Sequence, residues 1–534
     1  MEKILDYLVF SAAKKNDESI NTKSKESYKK IKKLFNDNRV ELKSFEDTAL
    51  DITDFSWSGL TRDRNWWWQL QGLPFLNWYV SSYSLQNLDE RQYFFECCVK
   101  AIQNWERKAK ESKEAPLVWH DHASAFRLRN LVDWAVFCQL RGICVHQECK
   151  DLDLTILIFE HLEWLNQDEN YSKNTNHGFD QSMISLTVSL IFQCPQLKPY
   201  REVSRKRLAE EVKSAFTEQG VHVENSPGYQ KVMLQRLKQL RKFRFLGAQE
   251  ISKLAEEYIE NAEDFLRALT LPDGSLPEIG DTRSGDAGIY SDYPDKATVY
   301  DYSKSGYVVI KGKISQNLPY CFIFKCGHLS NYHRHDDDLM VYLNVAGNTV
   351  LSDGGLGAHA EKDARRMFLR SVYAHSLPII KAPFVRDRNR LAALPTIIHR
   401  KKECKLIGVS KGYGVKVIRE IDYSDIDLGK IHVKDECGKK KVAANWVVRK
   451  RPVHFENEVV SFPFEGFNLC VEGSEADSFR IFSGWLPEAF SESAIWSPRY
   501  GAYEDCHRIM IGGSDNIVIS DIYIEADEER GGDD

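Results

Sequence analysis

Apolar residues recur every three to four positions through the first half of this chain and gather into short β-branched and aromatic runs in the second. A change of pattern of that kind puts two folding classes into one polypeptide. Leu131, Trp134, Ala135 and Cys138 follow the i, i+3, i+4, i+7 helical repeat; Met233, Leu237 and Leu240 repeat it. Leu254, Tyr258, Ala262, Phe265 and Leu269 extend it until Pro272-Asp-Gly274 stops the helix. From about residue 300, Gly306 to Lys311, Tyr320 to Lys325, His454 to Val460 and Asn516 to Ile524 are β-branched and aromatic runs divided by turn residues. Helices and strands in separate blocks predict an α+β multidomain protein, helical over 1–290 and strand-rich over 297–534. The junction falls near Ser284 to Lys296, where Gly, Asp and Pro cluster. The Lys-rich first 45 residues read as a solvated helix or extension, and Ala526 to Asp534 as an acidic frayed tail.

With 534 residues the chain exceeds one ordinary core. Its net charge of −6 provides no basic field, which argues against nucleic acid as a partner. An acidic polysaccharide can still bind where cations gather in one cleft, because local potential governs capture. No apolar run approaches the roughly 18 residues of a spanning helix, so no membrane partner is expected. Acidic residues at positions 2 and 6 and a short apolar run do not make a secretory signal. The 12 cysteines include no Cys-x-x-Cys and read as reduced, packed thiols. These features favour a cytoplasmic location; a periplasmic or secreted one requires that a leader was removed. Oligomeric state is left open, a homo-oligomer included.

Asn331-Tyr-His-Arg-His-Asp-Asp-Asp-Leu339 stands directly before the strand pattern Leu339 to Val345, a turn at Ala346-Gly-Asn348 and a second strand Thr349 to Asp353. His333 and His335 thus sit at a sheet rim, suited to proton transfer or metal ligation, against the plainer reading of a solvated turn. Tyr229 follows Ser226-Pro-Gly228, a helix-entry signal that holds a phenol by backbone geometry, although a packed tyrosine is the simpler account. Asn176 and His177 place an amide donor and an imidazole at a loop-to-helix boundary, where both can bind an anion or Asn176 can serve as a cap. His120-Asp-His122 is weak as a metal motif, since residues two apart do not share a helix face. Arg127 and Asn130 suit contacts with substrate oxygens or carboxylates. Trp66-Trp-Trp68 is more readily core than a sugar platform, because three successive helical side chains diverge.

Read in series, Trp119 to Asn130, Asn174-Thr-Asn-His177, Glu224-Asn-Ser-Pro-Gly-Tyr229, Leu271 to Asp281, His333-x-His335-x-Asp337, Leu351-Ser-Asp-Gly-Gly355 and Arg370 to Ser376 resemble the heparinase II/III family of polysaccharide lyases. The resemblance implies an incomplete α/α toroid followed by an antiparallel β-sandwich, with the active cleft between them. It also implies a lyase acting on an acidic, uronate-containing polysaccharide or oligosaccharide by β-elimination. Tyr229 would be the acid, Tyr229 or His333 the base, with His333 the candidate from the strand-rich side, and Asn176 and His177 the neutralisers of the substrate carboxylate. Glu224 joins Arg127 and Asn130 as a substrate contact, and His335, Asp353 and His375 match positions that hold one structural zinc in some members. No organic cofactor is implied. A uronosyl C5-epimerase and a non-catalytic glycan-binding protein are the alternatives on this scaffold. The chain departs from the family pattern after Asp353, where Gly354 to His359 replaces a segment that carries a tyrosine in many relatives, and at Ser376, which stands in place of the more usual asparagine.

Overall fold

A computed structural model describes the chain apart from residues 1–3, 19, 144–151, 284, 359–361, 381–395, 413, 439, 451, 453, 457, 475, 514 and 528–534. Packing divides it into two compact units. One comprises residues 1–215 and 237–257, the other 216–236 and 258–534.

The first unit is built of helices whose ends are written in the sequence. Leu88–Lys108 opens with a reciprocal capping box between Asn87 and Glu90 and closes with Arg107 and Lys108 against the carbonyl end of the dipole. Asp153 caps Leu154–Asn166, and Thr175 caps Asn176–Ile191 by accepting from the Gly178 amide. Leu131, Trp134, Ala135 and Cys138 all lie in the core, as their spacing requires. Trp66 and Trp67 are buried there too, and Trp68 packs on His122 and Phe126. The Lys-rich start is not a solvated extension. In Lys25–Asp37, Ile31, Leu34 and Phe35 share one face and join the helical core, leaving the lysines on the other. No helix among the described residues is long and apolar enough to cross a membrane.

Apart from the short pair Arg39–Val40 and Thr48–Ala49 in the first unit, the described sheets lie in the second, and their strands pair antiparallel throughout the described ladders. A five-stranded sheet runs in chain order through Thr298–Tyr302, Tyr307–Ile314, Leu318–Lys325, Met340–Val345 and Asn348–Leu351. Its central strands are buried on both faces. Val308, Phe322 and Leu343 meet residues of the other large sheets, Val433, Trp446 and Ile522, in one core. On the opposite face Phe265 packs on Tyr302 and Tyr307, and the Lys311 ammonium donates to the Arg267 and Thr270 carbonyls. By contrast, an eight-stranded sheet that includes Lys405–Ser410, Val417–Asp422, Lys430–Glu436 and Ile517–Ala526 alternates buried positions with partly or fully exposed ones, as one solvated face demands. A four-stranded sheet orders as Ala476–Ser483, His507–Gly513, Val442–Val448 and Pro378–Ile380.

The switch from helix to strand falls where the period predicts, between the end of Gln249–Leu269 and the strand beginning at Thr298. The compact units follow a different cut from the 1–290 and 297–534 division. Residues 216–236 pack with the strands because their polar groups are satisfied there: Asn225 Nδ2 donates to the Ser330 and Tyr332 carbonyls, and Ser226 Oγ bonds Thr282 Oγ1. The described cysteines form no disulfide. The acidic tail from 528 and His359 lie outside the described residues, as does Ser284 at the expected junction.

Candidate functional site

The turn carrying His333 is fixed from several sides. Asn225 holds its first carbonyls, Arg370 Nε and Nη2 donate to the Arg334 carbonyl, and a fully buried Lys325–Asp337 pair at 2.6 Å ties its far end to the five-stranded sheet. His333 itself takes a left-handed backbone conformation with φ of 52°, costly for a residue with a Cβ and concentrated at functional sites. Its ring stacks on that of Tyr229 at 3.8 Å between centroids. Tyr229 is held in the first turn of Pro227–Gln239, with its amide directed to Ser226 Oγ.

Asp281 organises this cluster. Its Oδ2 accepts from His333 Nδ1 at 2.8 Å and its Oδ1 meets His335 Nε2 at 2.8 Å, while Arg366 donates to both oxygens at 2.6 and 2.9 Å. Burial alone would raise the Asp281 carboxyl, but the two histidines and Arg366 hold it well below the usual carboxylate range. With Nδ1–H directed at Asp281, His333 presents Nε2 for proton exchange, 3.4 Å from Glu224 Oε2. Burial, reinforced by the negative charges of Asp281 and Glu224, pushes the Tyr229 phenol above its ordinary value. Glu224 is buried and lies among histidines, 3.7 Å from His222 Nε2 as well.

His335, Asp353 and His375 converge, with one ligand atom from each lying within 4.8 Å of the others. All three are buried. Among the described residues His335 Nδ1 and His375 Nε2 have no hydrogen-bond partner, which is expensive for buried ring nitrogens unless a ligand takes them. Asp353 Oδ2 lies 2.9 Å from His375 Nδ1. Burial pulls His335 down, whereas at His375 the charge and hydrogen bond of Asp353 outweigh burial and raise it. Two imidazoles and a carboxylate are a normal zinc donor set, and the two unpartnered nitrogens fit it.

In the helical unit, Asn176 and His177 occupy the first turn of Asn176–Ile191, where orphan amides and the dipole favour an anion. Gly178 allows this turn its position: a Cβ there would stand 2.3 Å from the Ser172 carbonyl oxygen. His177 Nδ1 is 3.0 Å from Asp121 Oδ2, and its ring stacks on His122 at 4.2 Å. Asp121 also pairs with His120 Nδ1 at 2.9 Å and accepts from Ser172 Oγ. Hydrogen bonds from His120 and His177 outweigh burial and hold the Asp121 carboxyl far down. His120-Asp-His122 therefore builds a polar frame around His177. Arg127 does not take the place expected of a substrate contact. It is completely buried, and its guanidinium donates to the Gln71 and Val118 carbonyls and to His161 Nε2. Asn130 likewise donates to the Gly72 carbonyl from a buried position. Both serve helix packing.

The residues that sequence reasoning missed are Asp281, Arg366 and Asp121. Asp281 and Asp121 sit inside motifs, yet His333 and Arg366, which Asp281 holds, and His177, which Asp121 holds, lie 52 to 85 positions away along the chain.

A family model described as Heparinase II/III N-terminus matches residues 6–306. Among solved structures, the chain is similar to heparinase III with a TM-score of 0.73 at 14% identity, covering 95% of this chain and 85% of that one. It is similar also to a heparan sulfate lyase HepC mutant from Pedobacter heparinus, with a TM-score of 0.68 at 14% identity over 96% of this chain and 87% of that one. At such identity the likeness is one of fold: an incomplete α/α toroid followed by an antiparallel β-sandwich. No curated protein matches the chain.

Proposed function

The chain belongs to the heparinase II/III family, and from that membership we propose that it is a lyase cleaving uronate-containing polysaccharides or oligosaccharides by β-elimination. The reaction removes the proton on C5 of a 4-linked uronate and expels the oxygen on C4. Three functions are required: neutralisation of the C5 carboxylate so that the enolate is tolerable, a base for the C5 proton and an acid for the leaving oxygen.

The observation that carries the reading is the stacked pair Tyr229 and His333, two proton-transfer groups side by side, with His333 oriented by Asp281. The raised phenol stays protonated at neutral pH, which suits Tyr229 as acid to the leaving oxygen and His333 Nε2 as base. Asn176 and His177 are assigned to the carboxylate, as donors at a helix amino terminus. Glu224, beside His333 Nε2, is assigned to a substrate hydroxyl or to holding the imidazole. His335, Asp353 and His375 would hold one divalent ion, zinc by donor type, whose charge would pin the strand ends beneath His333.

A fold relative is named a heparan sulfate lyase, so heparan sulfate is the first substrate to test. Incubation with the intact protein should generate the ultraviolet absorbance of a 4,5-unsaturated uronate. A saturated product containing solvent oxygen would instead define a hydrolase. The same acid and base pair also fits a C5-epimerase, which would exchange the C5 proton with solvent without cutting the chain.

A further inference from the structure

The helical unit carries an open pocket of about 290 Å³ that none of the foregoing chemistry uses. It is lined by Lys110 and Glu111 after the helix Leu88–Lys108, by Trp119 in the segment leading to Asp121–Leu140, and by Glu160, Glu163 and Trp164 of Leu154–Asn166. The volume is near the lower end of small-molecule sites, roughly 300–1,000 Å³, and so takes a single ring rather than a chain. The walls are preformed. Trp119 donates its indole N–H to the Lys110 carbonyl at 3.1 Å, and its ring is backed by His161 at 5.1 Å and by the buried Arg127 guanidinium. Trp164 lies 5.7 Å from Trp119 with only 32° between the planes, so the two half-buried indoles form a tilted aromatic wall.

Charge decides what such a wall can hold. Three carboxylates face one ammonium, and that ammonium is already engaged, with Lys110 Nζ 3.0 and 3.2 Å from the Glu160 oxygens and 3.5 Å from Glu106. Glu111 and Glu163 are exposed and have no ion pair among the described residues. The local field is negative, so a sulfated or uronate sugar is repelled, whereas a cation is drawn to the carboxylates and to the Trp164 indole, Trp119 already having the Arg127 guanidinium against its ring. We propose that this pocket is a second glycan site that takes one pyranose bearing a free ammonium group, its C–H face on Trp119 and Trp164 and its nitrogen toward Glu111 and Glu163. Trp119 immediately precedes His120 of the frame around His177, so the pocket adjoins that cluster along the chain. The binding assignment does not depend on the lyase reading, and its test needs no turnover.

The full-length protein is titrated with a glucosamine trimer, the N-acetylglucosamine trimer and a galacturonate trimer, followed by calorimetry and saturation-transfer NMR. The glucosamine trimer should bind saturably and weaken as salt rises. The double variant of the exposed acids, Glu111→Gln with Glu163→Gln, should weaken it about five- to tenfold while leaving the N-acetylated trimer unaffected. Trp164→Ala should abolish it, and Trp164→Phe should restore part of it should the alanine variant fold poorly. The proposal is overturned if the N-acetylated or galacturonate trimer binds as tightly as the amine, if the acid variants bind it as well as wild type does, or if no trimer binds.

Discussion

Each oxygen of Asp281 receives two donors, one from Arg366 and one from a histidine, so a single carboxylate fixes a buried guanidinium and both rings of the His-x-His turn. Asp281→Asn keeps the shape and removes the charge, leaving Arg366 buried without its counterion. We expect it to cost about 3–5 kcal/mol in denaturant unfolding, the range for breaking a buried pair from one side. Tyr229→Phe deletes only a phenol oxygen. Turnover on a competent uronate substrate should fall by several orders of magnitude with the unfolding midpoint unchanged, and retention of turnover would remove Tyr229 from the acid role. At the metal trio, elemental analysis of protein grown with ample zinc should find about one equivalent in wild type and little in His335→Ala. A metal-free wild type would make His335, Asp353 and His375 an ordinary polar network.

The amino terminus of Asn176–Ile191 carries the other half of the assigned chemistry, and its geometry hangs on one glycine. Gly178→Ala would drive a methyl into the Ser172 carbonyl and the Glu211 carboxylate, displacing the loop that positions His177 against Asp121. A loss of about 1–3 kcal/mol, the usual range for overpacking, should appear in thermal unfolding. Such elements could be read from the sequence where the signal was local. The i, i+3, i+4 rows located the helices, Pro272-Asp-Gly274 marked a true stop, and the strand after the histidine turn begins at Met340, one residue from its expected start. Non-local relations were out of reach. Arg127 looked available for substrate because a helix position says nothing of what covers it; the Gln71 and Val118 carbonyls that occupy it come from other elements. The lysines of the first 45 residues masked an apolar row that only packing reveals.

At the scale of the molecule, the division into two compact units cuts across chain order, because residues 216–236 and 258–290 pack with the strands. A fragment of residues 297–534 would therefore lack Glu278, which receives the Tyr342 hydroxyl and the Arg449 guanidinium, along with Asp281 beneath Arg366. Far-ultraviolet circular dichroism should still report β structure in that fragment, but heating should give no cooperative transition. A sharp melt at the wild-type temperature would show that the strands stand alone. The same interleaving governs the order of events on the ribosome. Residues 1–257 hold everything the helical unit needs, yet the stretch around Tyr229 emerges with them and must wait for the remaining chain, on the order of tens of seconds at roughly 5–20 residues per second. A nascent chain halted in that interval would present Asn225 and Ser226 without the partners that bury them, a ready target for proteases and a natural point at which quality control can tell finished protein from unfinished.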